Sequence, residues 1–454
     1  MDLFDEVGKS RTDLLTTSKP LEDSWEPDRI VSREEEMHEL VSNLYDIRSK
    51  GEAPPNIFVY GPNGVGKTEV TTSILKKFEE DEETDVDFNW HRVNCEPVNT
   101  PYQFAVRMAN KFLLDEERYP ANSPGVGEDK IWETLWNEVD SQDGIQLFVL
   151  DEVHTLSGLE SLFYNLSRAE NEYLDNADFA FIAISTEGDL LNALDQHGST
   201  TSSLKPTKQF FSSYEPFQLQ KIGSTRAAKA FHETGIIFED DPEYDDTDVK
   251  NLESKYTTVN SQEDYYFYSD VLTADVVPWT AAKAAGEENG DARVVLFLLR
   301  EAARRAEKQG DELVTRDHAE QTYRQYKRSA ALQLIKKLNE TNQALLLSLA
   351  VLAFTSNKDD KVFDSGKIRE QYKHIIEGYG ETPVGTRRIR DGLNELHKVN
   401  LTTKLQRKNP NSGSRHDLLH DAEIVLEALG ESQSAPRRYF DAELLPSDVL
   451  AYLV

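Results

Sequence analysis

The chain has 454 residues, 38 % hydrophobic and 9 % aromatic, too long for one ordinary core and too apolar for global disorder. Its 82 Asp+Glu against 50 Lys+Arg give a formal net charge of −32, which excludes nonspecific attraction of the whole surface to nucleic acid. A single cysteine, Cys95, excludes an intramolecular disulfide and a cysteine-based metal cluster. Two or three domains are expected. Because the acidic residues are spread along the chain, the composition suits a surface adapted to concentrated salt, where screening is strong and carboxylates maintain solubility. An ordinary acidic cytosolic protein stays open as the alternative.

Residues 1–25 are polar and read as a loosely held arm. The opening "MDLFDEVGKS" lacks the basic region and apolar core of a signal peptide, so a cytoplasmic protein with no membrane partner is expected. "IFVY" (57–60) is a short apolar run entering a glycine-rich turn, and "TEVTTSILKKF" after it has helical spacing. "HRVNC" (91–95) reads as a strand that buries Cys95. "IQLFVLDE" (145–152) and "FAFIAIST" (179–186) are fully apolar strands. Strands of this kind separated by helices predict a parallel sheet covered on both faces, hence an α/β base.

After about residue 216 helical patterns such as "TRAAKAF" and "ARVVLFLLREAARRAEK" replace the strands. Between them, residues 239–264 hold ten acidic and two basic residues and read as a solvated insertion. "ALLLSLAVLAF" (344–354) is too short to span a bilayer and predicts a buried helix. "LTTKLQRKNPNSGSRHDLL" (401–419) alternates around an Asn-Pro-Asn-Ser-Gly turn, as a β-hairpin does.

"GPNGVGKT" spans Gly61, Pro62, Asn63, Gly64, Val65, Gly66, Lys67 and Thr68 and fits the P-loop pattern between a strand and a helix. Backbone N–H groups of such a loop cradle phosphates at a helix N-terminus. Lys67 would reach the β/γ-phosphates of ATP or ADP, and the Thr68 hydroxyl would ligate Mg²⁺. At the end of the apolar strand, Asp151 would hold Mg²⁺ and Glu152 would polarise an attacking water.

"PDRIVSREEEM", "VNC", "DEVHTL", "LFYNLSRAENE" and "NGDARVVLFLLR" together resemble the archaeal and eukaryotic origin-recognition and cell-division-control type AAA+ replication initiators. The resemblance runs from about residue 27 to 425. It implies an N-terminal arm (1–25), an AAA+ ATP-binding base (26–215), an α-helical lid (216–330) with the acidic insertion at about 236–270, and a C-terminal winged helix-turn-helix domain (331–454). It also implies that Ile30 and Val31 line the adenine pocket and that Arg293 of "GDAR" senses the γ-phosphate. Two departures bear on hydrolysis. Thr186 stands where the family has the sensor asparagine, and its hydrogen-bonding reach is shorter. His197 stands where an arginine finger is expected, and imidazole cannot replace a permanently charged guanidinium. Either turnover is slow, or Lys205 or another base serves instead.

Residues 387–415 hold eight Lys+Arg and two Asp+Glu, a local excess of positive charge in an acidic chain. Leu393, Leu396 and Val399 give the helix a core face, leaving Arg387, Arg388 and Arg390 near its N-terminal end. Lys404, Arg407, Lys408 and Arg415 lie on the hairpin. A helix followed by a basic hairpin is the layout of a winged helix, whose recognition helix enters the major groove while the wing touches backbone. The bland reading is a solvated helix face. "SPGVGEDKIWETL" (123–135) resembles the family's second DNA-touching insertion, although its acidic flanks equally suit a loop without function.

The expected function is an ATP-dependent replication initiator and slow ATPase. It would bind double-stranded DNA at origins, with further copies of itself, and help to recruit the replicative helicase. The rival reading is a winged-helix transcriptional regulator that keeps nucleotide as a structural ligand.

Overall fold

Apolar strands alternating with one-sided helices build the first part of the chain, as their periodicity predicts. The computed structural model describes residues 12–81, 87–120, 125–186, 206–241, 251–252, 254–262, 264–356, 362–405, 413–432, 439–440 and 444–453. The chain divides into two units, Met1–Ala319 and Glu320–Val454. The first begins with a 3-10 turn (Lys19–Leu21), α1 (Glu34–Lys50), β1 (Ile57–Tyr60) and α2 (Lys67–Glu79). It continues through β2 (Phe88–Asn94), α3 (Pro101–Phe112), α4 (Glu128–Asp140), β3 (Gly144–Asp151), α5 (Leu159–Glu172), β4 (Ala177–Ser185) and β5 (Thr207–Phe210).

Among the described residues these five strands pair in parallel in the order β2-β3-β4-β1-β5. β3 is buried at every position from Ile145 to Asp151, as a strand covered on both faces must be. Trp136 of α4 stacks on Phe148 of β3 at 6.1 Å between ring centroids and meets Phe179 of β4 edge-on at 5.0 Å. Such aromatic pairs add about 0.5–1.5 kcal/mol each beyond simple burial. The helical half of "SPGVGEDKIWETL" is therefore core: Ile131, Trp132 and Leu135 are buried, and Lys130 pairs with Glu133 at 3.1 Å. Cys95 is buried beyond β2, and burial pushes its thiol up to about 12, which makes it inert at neutral pH.

The unit continues with α6 (Pro216–Ala230), β6 (Thr234–Phe238), β7 (Thr258–Ser261), β8 (Tyr265–Ser269), α7 (Val276–Glu287) and α8 (Ala292–Gln309). Here the structure corrects the sequence reading. The acidic stretch is not simply a solvated insertion, because β6, β8 and β7 form an antiparallel sheet across it. The period-2 run "YYFYS" buries Tyr265, Phe267 and Ser269 and leaves Tyr266 and Tyr268 half-exposed. Dense carboxylates between the strands hid that alternation. The arm also differs from expectation over residues 12–25. Leu14 and Leu21 are buried, Leu15 bridges to Phe231, and the Leu14 and Leu15 amides both donate to Glu307 Oε1 at 3.1 Å.

The division between the units falls within α9 (Arg316–Ile335). The second unit then contains α10 (Glu340–Thr355), β9 (Phe363–Asp364), α11 (Ser365–Gly378), α12 (Thr386–Lys398), β10 (Thr402–Leu405), β11 (Arg415–Leu418), α13 (Ala422–Glu431) and α14 (Ser447–Leu453). α10 is the predicted buried helix: Leu345, Leu346, Leu347 and Leu349 are wholly inaccessible, so it is apolar all round. β10 and β11 pair antiparallel, with β9 on the far side of β11. Among the described residues no helix is long and apolar enough to cross a membrane.

Candidate nucleotide site and nucleic-acid interface

In an open parallel sheet, ligands bind beyond the carboxyl ends of the strands. The strand order sets β4 between β1 and β3, so the turn after β1, the carboxylates ending β3 and Thr186 after β4 share that edge. Gly64 and Gly66 have φ of +69° and +86°, a conformation that side chains other than glycine rarely adopt. A Cβ at Gly66 would come within 2.7 Å of the Tyr214 hydroxyl, and one at Gly64 would overlap the Asp291 carboxylate. Only glycine fits either position.

Lys67 begins α2 and is buried, which lowers its pKa through desolvation. Its Nζ donates to Gly61 O at 2.8 Å and Pro62 O at 2.6 Å, inside the loop. Phosphate oxygens are stronger acceptors for this ammonium than neutral carbonyls. Thr68 Oγ1 donates to Asp151 Oδ1 at 2.9 Å. The other oxygen of Asp151 accepts from Arg92 Nη2 at 2.5 Å and Arg92 Nε at 3.2 Å. Glu152 follows at φ +54°, a strained value for a non-glycine residue that costs about 1–3 kcal/mol and recurs at functional sites. His154 Nδ1 lies 3.6 Å from its Oε2.

The N-terminus of α8 meets the loop. Ala292 N–H, at the start of α8, donates to Gly64 O at 3.1 Å. Asp291 caps that helix by accepting from Arg293 N, and it also accepts from Arg293 Nε at 3.1 Å and Nη2 at 2.9 Å. Asp291 therefore raises the pKa of Arg293 and holds its guanidinium at the cavity wall. The cavity measures about 530 Å³, a nucleotide-sized volume. Ile30, Val31, Asn63, Gly64, Val65, Gly66, Lys67, Thr68, Glu152 and Arg293 all line it. The glycine cradle, the inward ammonium and the Thr68–Asp151 pair fit a nucleotide triphosphate with a divalent cation.

Sequence reasoning missed two arginines. Arg33 is fully buried; its Nε donates to Val65 O at 3.0 Å, its Nη2 to Ser212 O at 2.6 Å, and Glu36 accepts from its Nη1. Its guanidinium stacks 3.8 Å above the Tyr214 ring. It braces the outer backbone of the P-loop, and its place inside "PDRIVSREEEM" was the available signal. Arg92 carried none. His197 and Lys205 lie outside the described residues.

In the second unit, Ile389, Leu393 and Leu396 bury one face of α12, while Arg387, Arg388 and Arg390 are exposed on the other. The Arg387 and Arg390 side chains are 89 % and 68 % accessible and meet Asp391 only loosely, at 4.0 and 3.9 Å. Lys404 on β10 is exposed, and its Nζ donates to Asn394 Oδ1 of α12 at 2.8 Å, which ties strand to helix. Arg415 begins β11 opposite Leu405 and is half-buried. Arg407 and Lys408 lie outside the described residues.

His416, at the centre of β11, is fully buried and hydrogen-bonds through Nε2 to Ser414 Oγ at 2.9 Å. Burial, aided by Lys404 and His397, lowers its pKa from 6.5 to about 4. A histidine kept neutral by the fold binds fewer protons folded than unfolded between those two values, so stability rises with pH there. Its contribution is complete above about pH 6.5 and is lost as pH falls towards about 4, on the order of 3 kcal/mol. Denaturant melts of the full chain over this range should show a shallower pH slope in His416→Gln than in the parent. Equal slopes would refute the assignment.

Three family models match the chain: an AAA domain over residues 50–194, a Cdc6 AAA+ ATPase-type lid domain over 259–324, and a CDC6 C-terminal winged helix domain over 333–428. The ORC1-type DNA replication protein 2 of Haloarcula marismortui is 30 % identical, covering 89 % of this chain and 88 % of that protein. The ORC1-type DNA replication protein 8 of Halobacterium salinarum is 28 % identical over 94 % and 98 %. Both genera fit the saline reading of the composition. Among solved structures, the Aeropyrum pernix ORC1 protein in complex with DNA superposes with a TM-score of 0.61 at 25 % identity, covering 92 % of this chain and 97 % of that one. With an AAA+ base, a lid and a winged helix in this order, the chain belongs to the ORC1/Cdc6 family of DNA replication proteins.

Proposed function

We propose that this protein binds ATP or ADP with Mg²⁺ as a switch and binds double-stranded DNA at replication origins, where it helps to recruit the replicative helicase. Lys67 would hold the β- and γ-phosphate oxygens, and Thr68 with Asp151 would hold the metal. Bound Mg²⁺ supplies charge neutralisation at the phosphates. Glu152 would orient the attacking water, Thr186 would donate one hydrogen bond at the same edge, and Arg293 would register the γ-phosphate from the lid. Ile30 and Val31 would bury the base. Further copies on DNA and a cytoplasmic, chromosome-associated location follow from the same reading.

The observation that carries the DNA half is charge contrast. Exposed Arg387, Arg388 and Arg390 with Lys404 form a basic face in a chain of net charge −32. An acidic body repels duplex, so this face must supply the attraction. Arg387→Ala and Arg388→Ala should weaken binding, and one of them should relax preference at a base by about 1–3 kcal/mol. Lys404→Ala and Arg407→Ala should weaken binding to all sequences alike, each lowering the salt slope by about one unit. Salt-series titrations on an origin fragment and a scrambled duplex measure both effects. Unchanged affinity in the α12 variants would return those arginines to a solvated face.

Thr186 in the sensor position favours a second reading, a transcriptional regulator holding nucleotide as a structural ligand. Chromatin immunoprecipitation mapped against replication start sites and promoters separates the two.

A further inference from the structure

The geometry points to Arg92 as a built-in cation of the nucleotide site, sharing Asp151 with Mg²⁺ and so weakening the dependence of nucleotide binding on the metal. The inference rests on the nucleotide reading above and adds a residue to it.

Asp151 pairs with Thr68 at the end of β3, and both of its oxygens are already engaged. Oδ1 accepts from the Thr68 hydroxyl at 2.9 Å, while Oδ2 accepts from two nitrogens of Arg92 at 2.5 and 3.2 Å. β2 lies beside β3 with Asn94 opposite Asp151, so the guanidinium reaches the carboxylate from the neighbouring strand. The Asp151 side chain is 5 % accessible and that of Arg92 is 42 %, and Arg92 also lines the cavity that holds Lys67 and Thr68. The pair is thus anchored at the buried end and open towards the ligand space.

Two consequences follow from charge alone. A guanidinium stays protonated at every accessible pH, so positive charge persists beside Asp151 whether or not a metal is bound. A divalent ion entering there must share a carboxylate that is already compensated and must tolerate a like charge nearby, which weakens its binding. Conversely, a phosphate chain entering without metal meets Arg92 as a further cation beside Lys67 and Arg293. The same residue lowers the gain from Mg²⁺ and lowers the cost of its absence.

The test measures equilibrium binding of a fluorescent ADP to the full chain in EDTA and in Mg²⁺. The parent should bind with affinities differing by less than about threefold between the two conditions, whereas Arg92→Gln should show a difference of about tenfold or more. Arg92→Lys, which keeps the charge but loses the planar two-nitrogen fork, should fall between them. Lys67→Ala serves as the control on the underlying site. If Lys67→Ala retains ADP as the parent does, the nucleotide reading fails and this inference falls with it. If Lys67→Ala loses ADP while Arg92→Gln responds to Mg²⁺ as the parent does, only the role of Arg92 is overturned. Should the glutamine variant not fold, the lysine variant decides, and a metal response equal to that of the parent overturns the proposal.

Discussion

Lys67→Ala should lower nucleotide affinity roughly 10²–10⁴-fold, since each charge-assisted hydrogen bond it would make to phosphate contributes about 1.5–3 kcal/mol. The effect is expected to be large because the ammonium is already positioned. It sits buried at the first residue of α2 with its donors directed at Gly61 O and Pro62 O, so little ordering is needed for phosphate to replace carbonyl. Alanine also leaves the loop without the cation that offsets its own carbonyl dipoles. Because Gly64 and Gly66 set the backbone independently of the lysine, the variant should keep its fold. Isothermal titration with ADP and ATP on purified parent and variant reads the result. Equal affinities would remove the P-loop assignment.

The second large effect concerns turnover. ATP hydrolysis by the parent, with Mg²⁺ and DNA present, should be slow, because loss of an arginine finger typically costs roughly 10³–10⁵ in rate. Thr186 is the structural half of that argument. It follows β4 at the edge shared with Lys67 and Asp151, and in the proposed sensor position its side chain would reach less far than an asparagine amide. Glu152 lines the cavity beside Lys67 and Thr68, where the proposed general base would stand. Glu152→Gln should therefore lower the remaining turnover further, by about 10²–10⁴, while leaving ADP affinity near that of the parent. Single-turnover phosphate release measures both. A DNA-stimulated rate in the ordinary AAA+ range for the parent would overturn the first claim, and an unchanged rate in the variant the second.

Much of this protein was legible before its structure, and the legible parts share a property. "IFVY" is β1 to the residue, "GPNGVGKT" is the turn after it, and "TRRIRDGLNELHK" is α12 with its leucines buried and its arginines exposed. In each, function depends on neighbours in the chain: a run of apolar residues, a glycine at a fixed offset, or charges on one helical face. Such patterns survive translation into coordinates because backbone conformation is local.

What the tertiary structure decided was which distant residues meet. The amide of Ala292 on Gly64 O, the guanidinium of Arg33 on Val65 O and the ion pair of Arg92 with Asp151 join segments that sequence spacing leaves unrelated. The small sheet of β6, β8 and β7 was hidden because its strands are short and separated by carboxylates, so that local charge density outweighed a period-2 signal only a few residues long. The arm was misread for a similar reason: Leu14 and Leu21 are isolated apolar residues in a polar stretch, and only contact with Phe231 and Glu307 reveals that they are anchored. Sequence by itself determined the glycine-rich turn after β1, the apolar strands and the basic face of α12, since each is written in contiguous residues. Packing alone decided how the lid meets the loop and which cation faces Asp151, because those contacts exist only once the sheet order has brought the strand ends together.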